Sequence, residues 1–155
     1  MLTEKINKLL LKQKVVTVAS ADSNGRPTAA PKFVVAIERN CIYLVDYVIG
    51  KTFDNFSKNP LVSLSFFDEE DLTGYLLNGT VVILTSGPEF DVWMKEAQKK
   101  EIDLTIERVI KGIQKGKKHA NFDFVSPEHR VIFKVNVNEV VEISSGGKLR
   151  RENYK

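Results

Sequence analysis

The chain has 155 residues, 43% of them apolar and nine of them Phe, which is enough for one domain with a sizeable core and argues against disorder. Charged residues make up 28% and balance to +3 at pH 7, so no strong field draws the protein to nucleic acid or to a membrane surface. The single cysteine, Cys41, excludes an internal disulfide and fits a reducing cytoplasm.

Leu2, Ile6, Leu9 and Leu10 recur at the spacing of a one-sided helix, and with Thr3 and Glu4 ahead they predict a helix over Thr3 to Lys12. Its charged residues Glu4, Lys5, Lys8 and Lys12 are foreign to the core of a signal peptide, and no stretch is long and apolar enough to span a bilayer. Val15 to Ala21 is rich in β-branched residues and runs into Asp22-Ser23-Asn24-Gly25, where Asn-Gly supplies the positive φ of a tight hairpin turn. The second strand, Thr28 to Ile37, contains Pro31, which cannot donate a ladder hydrogen bond and marks an edge or a bulge. A third strand, Cys41 to Tyr47, follows, with Cys41 packing as a small apolar residue. Gly50 then opens a short helix, Lys51 to Ser57, closed by Asn59-Pro60.

Leu61 to Phe67 reads as a fourth strand, and the acidic run Asp68 to Asp71 as a solvated turn. A fifth strand begins near Gly74, with Tyr75, Leu77, Gly79, Val81 and Ile83 on one face, although Asn78-Gly79 on local signal alone slightly favours a turn that would split the run. Gly87-Pro88 starts a helix with Pro at the first helical position and a buried stripe of Phe90, Trp93, Met94 and Ala97. A continuation places Ile102, Ile106, Val109, Ile110 and Ile113 on one face, followed by the cationic cluster Lys111, Lys115, Lys117 and Lys118. A last strand covers Arg130 to Ile143, and the polar tail after Ser144 is expected to fray. No repeat appears, and residues 1–155 read as one domain. Six strands joined largely by hairpins predict a mainly β fold, an antiparallel barrel with flanking helices.

Gly50-Lys51-Thr52 is the most suggestive chemical feature, because amides at a helix start, a cation and a hydroxyl together suit one phosphate. It is not a P-loop, since Val45 stands where that pattern needs a glycine. On three residues alone, a solvated Lys51 and a capping Thr52 are the preferred explanation of the pattern. His119 and His129 have no partners at metal-ligand spacing, Cys41 has no nucleophile signature, and Asp68 to Asp71 are adjacent acids rather than a catalytic pair. The stretch Lys115 to His119 lacks the interleaved aromatics of a nucleic-acid site.

Taken in order, Val15-Val16-Thr17-Val18-Ala19, Asn24-Gly25-Arg26-Pro27, a strand with Pro31 and Phe33, Ile42-Tyr43-Leu44, Gly50-Lys51-Thr52, Asn55 and Asn59-Pro60-Leu61-Val62-Ser63-Leu64 resemble the pyridoxamine 5'-phosphate oxidase-like FMN-binding split barrel. Asn78-Gly79-Thr80 with Thr85-Ser86-Gly87-Pro88-Glu89-Phe90 is similar to the small dimeric FMN-binding proteins of that superfamily. The resemblance moves Asn78-Gly79 from a turn to the middle of a long strand, where Gly79 permits close packing. It implies a six-stranded antiparallel split barrel and a homodimer with FMN between two barrels. The phosphate would fall to Lys51 and Thr52, and the flavin would border Ala30, Pro31, Lys32 and Phe33 on one strand and Val45, Asp46 and Tyr47 on the next, mostly through backbone.

The chain departs from the oxidases of the superfamily in having only Lys51 and Lys32 as basic residues around the phosphate, and Arg150 and Arg151 lie outside any matching C-terminal motif. Phe122 and Phe124 are candidates for a partner-subunit aromatic over the ring, with core packing as the alternative. The implied function is redox chemistry at the isoalloxazine with a small-molecule or protein redox partner in the cytoplasm. The alternative is a non-catalytic module holding FMN, a deazaflavin or haem for storage or sensing. Neither nucleic acid nor a membrane is expected as a partner.

Overall fold

The structure, a computed structural model, describes residues 2–47, 49–115 and 130–154. The first helix, α1 (Glu4–Gln13), is capped as its sequence requires. The Thr3 side chain accepts the Ile6 amide, Lys14 closes the helix in the left-handed region, and Ile6, Leu9 and Leu10 turn inward. Seven strands follow: β1 (Val15–Ala21), β2 (Pro27–Glu38), β3 (Cys41–Asp46), β4 (Leu61–Asp68), β5 (Thr73–Leu84), β6 (Val131–Ile143) and β7 (Leu149–Asn153). They form one antiparallel sheet in the order β3-β2-β1-β4-β5-β6-β7, and β3 also pairs with β6. That last pairing closes six strands into a barrel and leaves no open edge between β3 and β6.

Strand alternation sorts the side chains. Val16, Val18, Val34, Ile42, Leu44, Leu64, Leu77, Phe133 and Val135 share the interior and are almost fully buried, each such side chain contributing about 1.5–3 kcal/mol. The opposite face of β2, β3 and β6 lies under the long helix α3 (Pro88–Gln114), where Val35, Tyr43, Val45 and Ile132 meet Met94 and Ala97. The start of α3 is fixed by Trp93 stacking on Tyr43 at 4.4 Å and by Glu89 Oε1, which accepts both the Tyr43 hydroxyl at 2.9 Å and the Lys134 ammonium at 2.7 Å. Toward its other end, Ile102, Ile106, Ile110 and Ile113 are exposed.

The Asn78-Gly79 pair lies in the middle of β5, as the resemblance implies and against the local turn signal. A Cβ on Gly79 would stand 2.1 Å from the Asn136 carbonyl oxygen, so only glycine lets β6 approach that closely. Pro31 sits at an edge, as its missing N–H demands. The Val34 amide donates to Lys14, so by alternation the Pro31 nitrogen points away from β1, toward the side where β3 has already ended.

Two expectations need correction. The tail after Ser144 does not fray but forms β7 on β6, because Ser144 to Lys148 make a hairpin turn with Gly147 at φ 72°. Arg151 then pairs with Glu139 at 3.0 Å, and the Tyr154 amide donates to Asn138 at 2.7 Å. The acidic run is exposed from Glu69 to Asp71, but Asp68 is buried at the end of β4, and the run binds α1 through Lys5 with Asp71 and Lys12 with Glu70, both at 2.5 Å. Lys117, Lys118, His119, Phe122, Phe124 and His129 lie outside the described residues.

Candidate functional site

Of the sequence-predicted residues, Lys32 meets Asp46 and Phe33 meets Tyr47, while Lys51 stands beside Asp22 in the β1–β2 turn and Val45 packs under α3. β2 outruns β3: the register of the pair ends at Phe33 with Val45, so among the described residues Pro27 to Lys32 pair with β1 on one side only. The helix α2 (Lys51–Phe56) packs against β1 and β2. Asn55 pins it there, its amide donating to Ser20 Oγ at 3.0 Å, while Phe56 meets Phe133 edge-on at 5.2 Å. Asn59 holds the exit, accepting the Leu61 amide and donating to the Ala21 carbonyl. The asparagines of this motif therefore serve the scaffold.

The start of α2 presents backbone donors. Gly50 is the N-cap, extended at φ −141°, and no side chain caps the helix, so the first-turn amides stay available to a ligand or water. Lys51 is half-exposed there, 3.8 Å from Asp22 in the β1–β2 turn. Thr52 is buried, so its contribution to a ligand at this tip is set by its backbone amide more than by a free hydroxyl.

On β2, Ala30 and Lys32 share the face of Val18 and Val16, their register partners, while Pro31 and Phe33 face outward with Thr17 and Val15. Lys32 donates to Asp46 Oδ1 at 2.7 Å in a pair that is largely buried, with side-chain exposures of 12% and 5%. Val45 is buried under α3, in register with Phe33 on one side and Ile132 on the other. Tyr47 meets Phe33 edge-on at 6.1 Å and lies under the Arg130 guanidinium at 5.3 Å. Burial, reinforced by the charge of Glu101, pushes the Tyr47 hydroxyl up to about 12. Arg130 is held in turn by Glu101 at 3.0 Å. Arg130 and Glu101 escaped sequence reasoning because they are remote in sequence from Tyr47, and only the closure of β3 on β6 with α3 packed over them brings the three together.

The outward face of β2-β1-β4-β5 mixes large apolar side chains with Thr17, Ser63, Ser65, Asn78 and Thr80. Val15, Phe33, Leu61, Phe67 and Val82 all point from it and are exposed, Leu61 by 63%. The site edge and this face share Phe33, so a body covering the face would also wall the site. Cys41 opens β3 and donates to Asn136 at 3.2 Å.

The sequence model of pyridoxamine 5'-phosphate oxidase matches residues 2–141. No curated protein matches the chain in sequence. HupZ of Group A Streptococcus has the same fold, with a TM-score of 0.69 at 21% identity over 100% of both chains. A pyridoxamine 5'-phosphate oxidase-related, FMN-binding protein of Nostoc punctiforme gives 0.57 at 12% identity, covering 96% of this chain and 91% of the other. An F420 reductase gives 0.59 at 16% identity, covering 90% and 98%. At these identities the structural likeness shows a shared fold, while the sequence match spans most of the chain. The chain belongs to the pyridoxamine 5'-phosphate oxidase family.

Proposed function

We propose that the protein is an FMN-binding flavoprotein of the cytoplasm that acts as a homodimer in oxidation–reduction or electron transfer. The observation that carries the reading is the edge of β2 left without β3, Pro27 to Lys32, together with the uncapped start of α2, whose Lys51 stands 3.8 Å from Asp22 in the turn that leads into β2. An edge with free backbone donors and acceptors suits the polar rim of a flavin, and the amides of α2 with Lys51 suit one terminal phosphate. The residues fit the group. Lys51 would meet the phosphate, the β2 edge from Ala30 to Phe33 the ring, and the Asp46–Tyr47 segment the end of the site. Bound flavin would supply the hydride or electron chemistry that protein side chains lack. The chain's own share is position and polarity: Asp46 holds Lys32 in place, and the Arg130–Glu101 pair holds Tyr47.

Dimerisation follows from the same surface. Five large apolar side chains on one sheet face are too many to leave in water on a small monomer, and a second copy over that face would supply the missing wall of the site. The visible absorption spectrum of freshly purified protein is the first test, because flavin, deazaflavin and haem differ plainly in it. A haem or deazaflavin spectrum, or binding of FAD tighter than of FMN in titration, would replace FMN in this reading. The second reading, a module that stores or senses such a cofactor, is supported by the charge pairing at the site, where Lys32 and Lys51 each face a carboxylate. Reduction of the bound flavin by a nicotinamide nucleotide, followed by turnover with an acceptor, separates the two.

A further inference from the structure

Asp22 divides its carboxylate between two tasks. Oδ1 accepts the Asn24 and Arg26 amides at 2.9 and 3.0 Å and so shapes the β1–β2 turn, while Oδ2 lies 3.8 Å from Lys51 Nζ. The turn requires only the acceptor, which an asparagine also supplies and a serine supplies more weakly. The charge is therefore surplus to the fold. Chiefly the Arg26 amide, with help from the Asn24 amide and the Lys51 and Lys58 cations, holds the Asp22 carboxyl below its ordinary value, so it is ionised at neutral pH. Its side chain is 18% exposed against 54% for Lys51, and the fixed partner is the anion. Lys32 brings no compensation, being held by Asp46 at 2.7 Å.

We propose that Asp22 is the specificity-determining residue at the phosphate end of this site, restraining Lys51 and repelling an incoming phosphate so that a flavin monophosphate gains less from Lys51 and the α2 amides than it would without that carboxylate. The inference rests on the flavin reading above. It assigns to the β1–β2 turn a role in setting affinity, and it makes the site one whose phosphate preference is held down by a single carboxylate.

The test is titration of the parent, Asp22→Asn, Lys51→Ala and the double variant with FMN and with riboflavin, followed by flavin fluorescence. Asp22→Asn should tighten FMN about fivefold, the effect of removing one like charge at roughly 4–6 Å near water, and leave riboflavin unchanged. The gain should shrink in the Lys51→Ala background. Asp22→Ser, which keeps the turn acceptor, should behave as Asp22→Asn and stands in if that variant folds poorly. Equal tightening of both flavins would mean that Asp22 acts through the shape of the turn, and an unchanged or weaker FMN affinity would likewise overturn the proposal. If the parent binds neither flavin, it is the flavin reading that fails, and this inference falls with it.

Discussion

Gly79→Ala is expected to destabilise the barrel by roughly 2–4 kcal/mol, at the upper end of what overpacking costs. The register of β5 and β6 slips between Asn78, opposite Glu139, and Gly79, opposite Val137. This slip lowers the β6 backbone onto Gly79. A Cβ there would stand 2.1 Å from the Asn136 oxygen, 2.9 Å from its carbonyl carbon and 3.1 Å from Val137 Cα. A carbon–oxygen contact closes at about 3.3 Å, so the strands would have to part by roughly 1 Å. All three atoms are backbone, and no rotamer change relieves them. β6 is also held from its other edge, where the Val137 amide donates to Asn40 at 2.9 Å and Asn138 accepts from Tyr154 at 2.7 Å, so any retreat strains those bonds as well. Urea denaturation at matched protein concentration measures the effect, and the thermal midpoint should fall by about 4–16 °C for a chain of this size. Gly146→Ala, with open space around it, is the control. A Gly79→Ala variant within about 0.5 kcal/mol of the parent and with an unchanged denaturant slope would refute the close approach of the two strands.

Lys51→Ala should cost roughly 1.5–3 kcal/mol of FMN affinity, the range for a hydrogen bond to a charged group, while the apo thermal midpoint barely moves; titration beside Lys115→Ala checks it. Leu61→Glu, at the exposed start of β4 on the outward sheet face, should turn the proposed dimer into a monomer in light scattering across micromolar concentrations, and a parent that already has the mass of one chain would end the dimer proposal. Tyr47 links stability to alkaline pH. Its hydroxyl is raised to about 12 by burial and by Glu101 and ionises near 10 in the unfolded chain, so the folded state holds the proton longer and stability falls as pH rises from about 10 toward 12. In denaturant titrations of the apo protein at about pH 9 and pH 11, Tyr47→Phe should lose part of that fall; an identical fall in both would remove Tyr47 as its source.

The signals that carried the fold are those with a single physical reading. Thr3 ahead of an apolar period, Asn24-Gly25 between β-branched runs, and Pro88 after Gly87 each demanded a cap, a hairpin or a helix start, and each element lies where expected. Asn78-Gly79 shows the limit of local reading. The same dipeptide serves a turn through positive φ or a strand through its missing side chain, and only the packing of β6 decides between them. The tail failed for the opposite reason: Gly146-Gly147 between Ile143 and Leu149 is a hairpin signal, overridden by the general expectation that termini fray. Asp68 was read with its acidic neighbours, although Lys5 and Lys12 stand two turns apart on α1 and so face the same way, which is what an acidic loop docked on that helix requires.

The candidate site divides along the same line. Its backbone part was legible, since Pro31 in a strand announces an edge, and a short helix opened by glycine announces uncapped amides. Its electrostatics were not. In sequence, Lys32 and Lys51 count as two cations available to a phosphate; in the fold each faces a carboxylate, Asp46 across the β2–β3 ladder and Asp22 across the β1–β2 turn. The two pairs differ in kind. The Lys32–Asp46 pair is nearly buried, so removing one partner would strand the other charge in a poor solvent and destabilise the barrel. The Lys51–Asp22 pair is long and half in water, so it adds little to stability, and Lys51, or the charge of Asp22 where its turn acceptor is kept, can change without loss of fold. What binds the scaffold together and what can set cofactor affinity are thus separated by burial, and only the second is open to substitution.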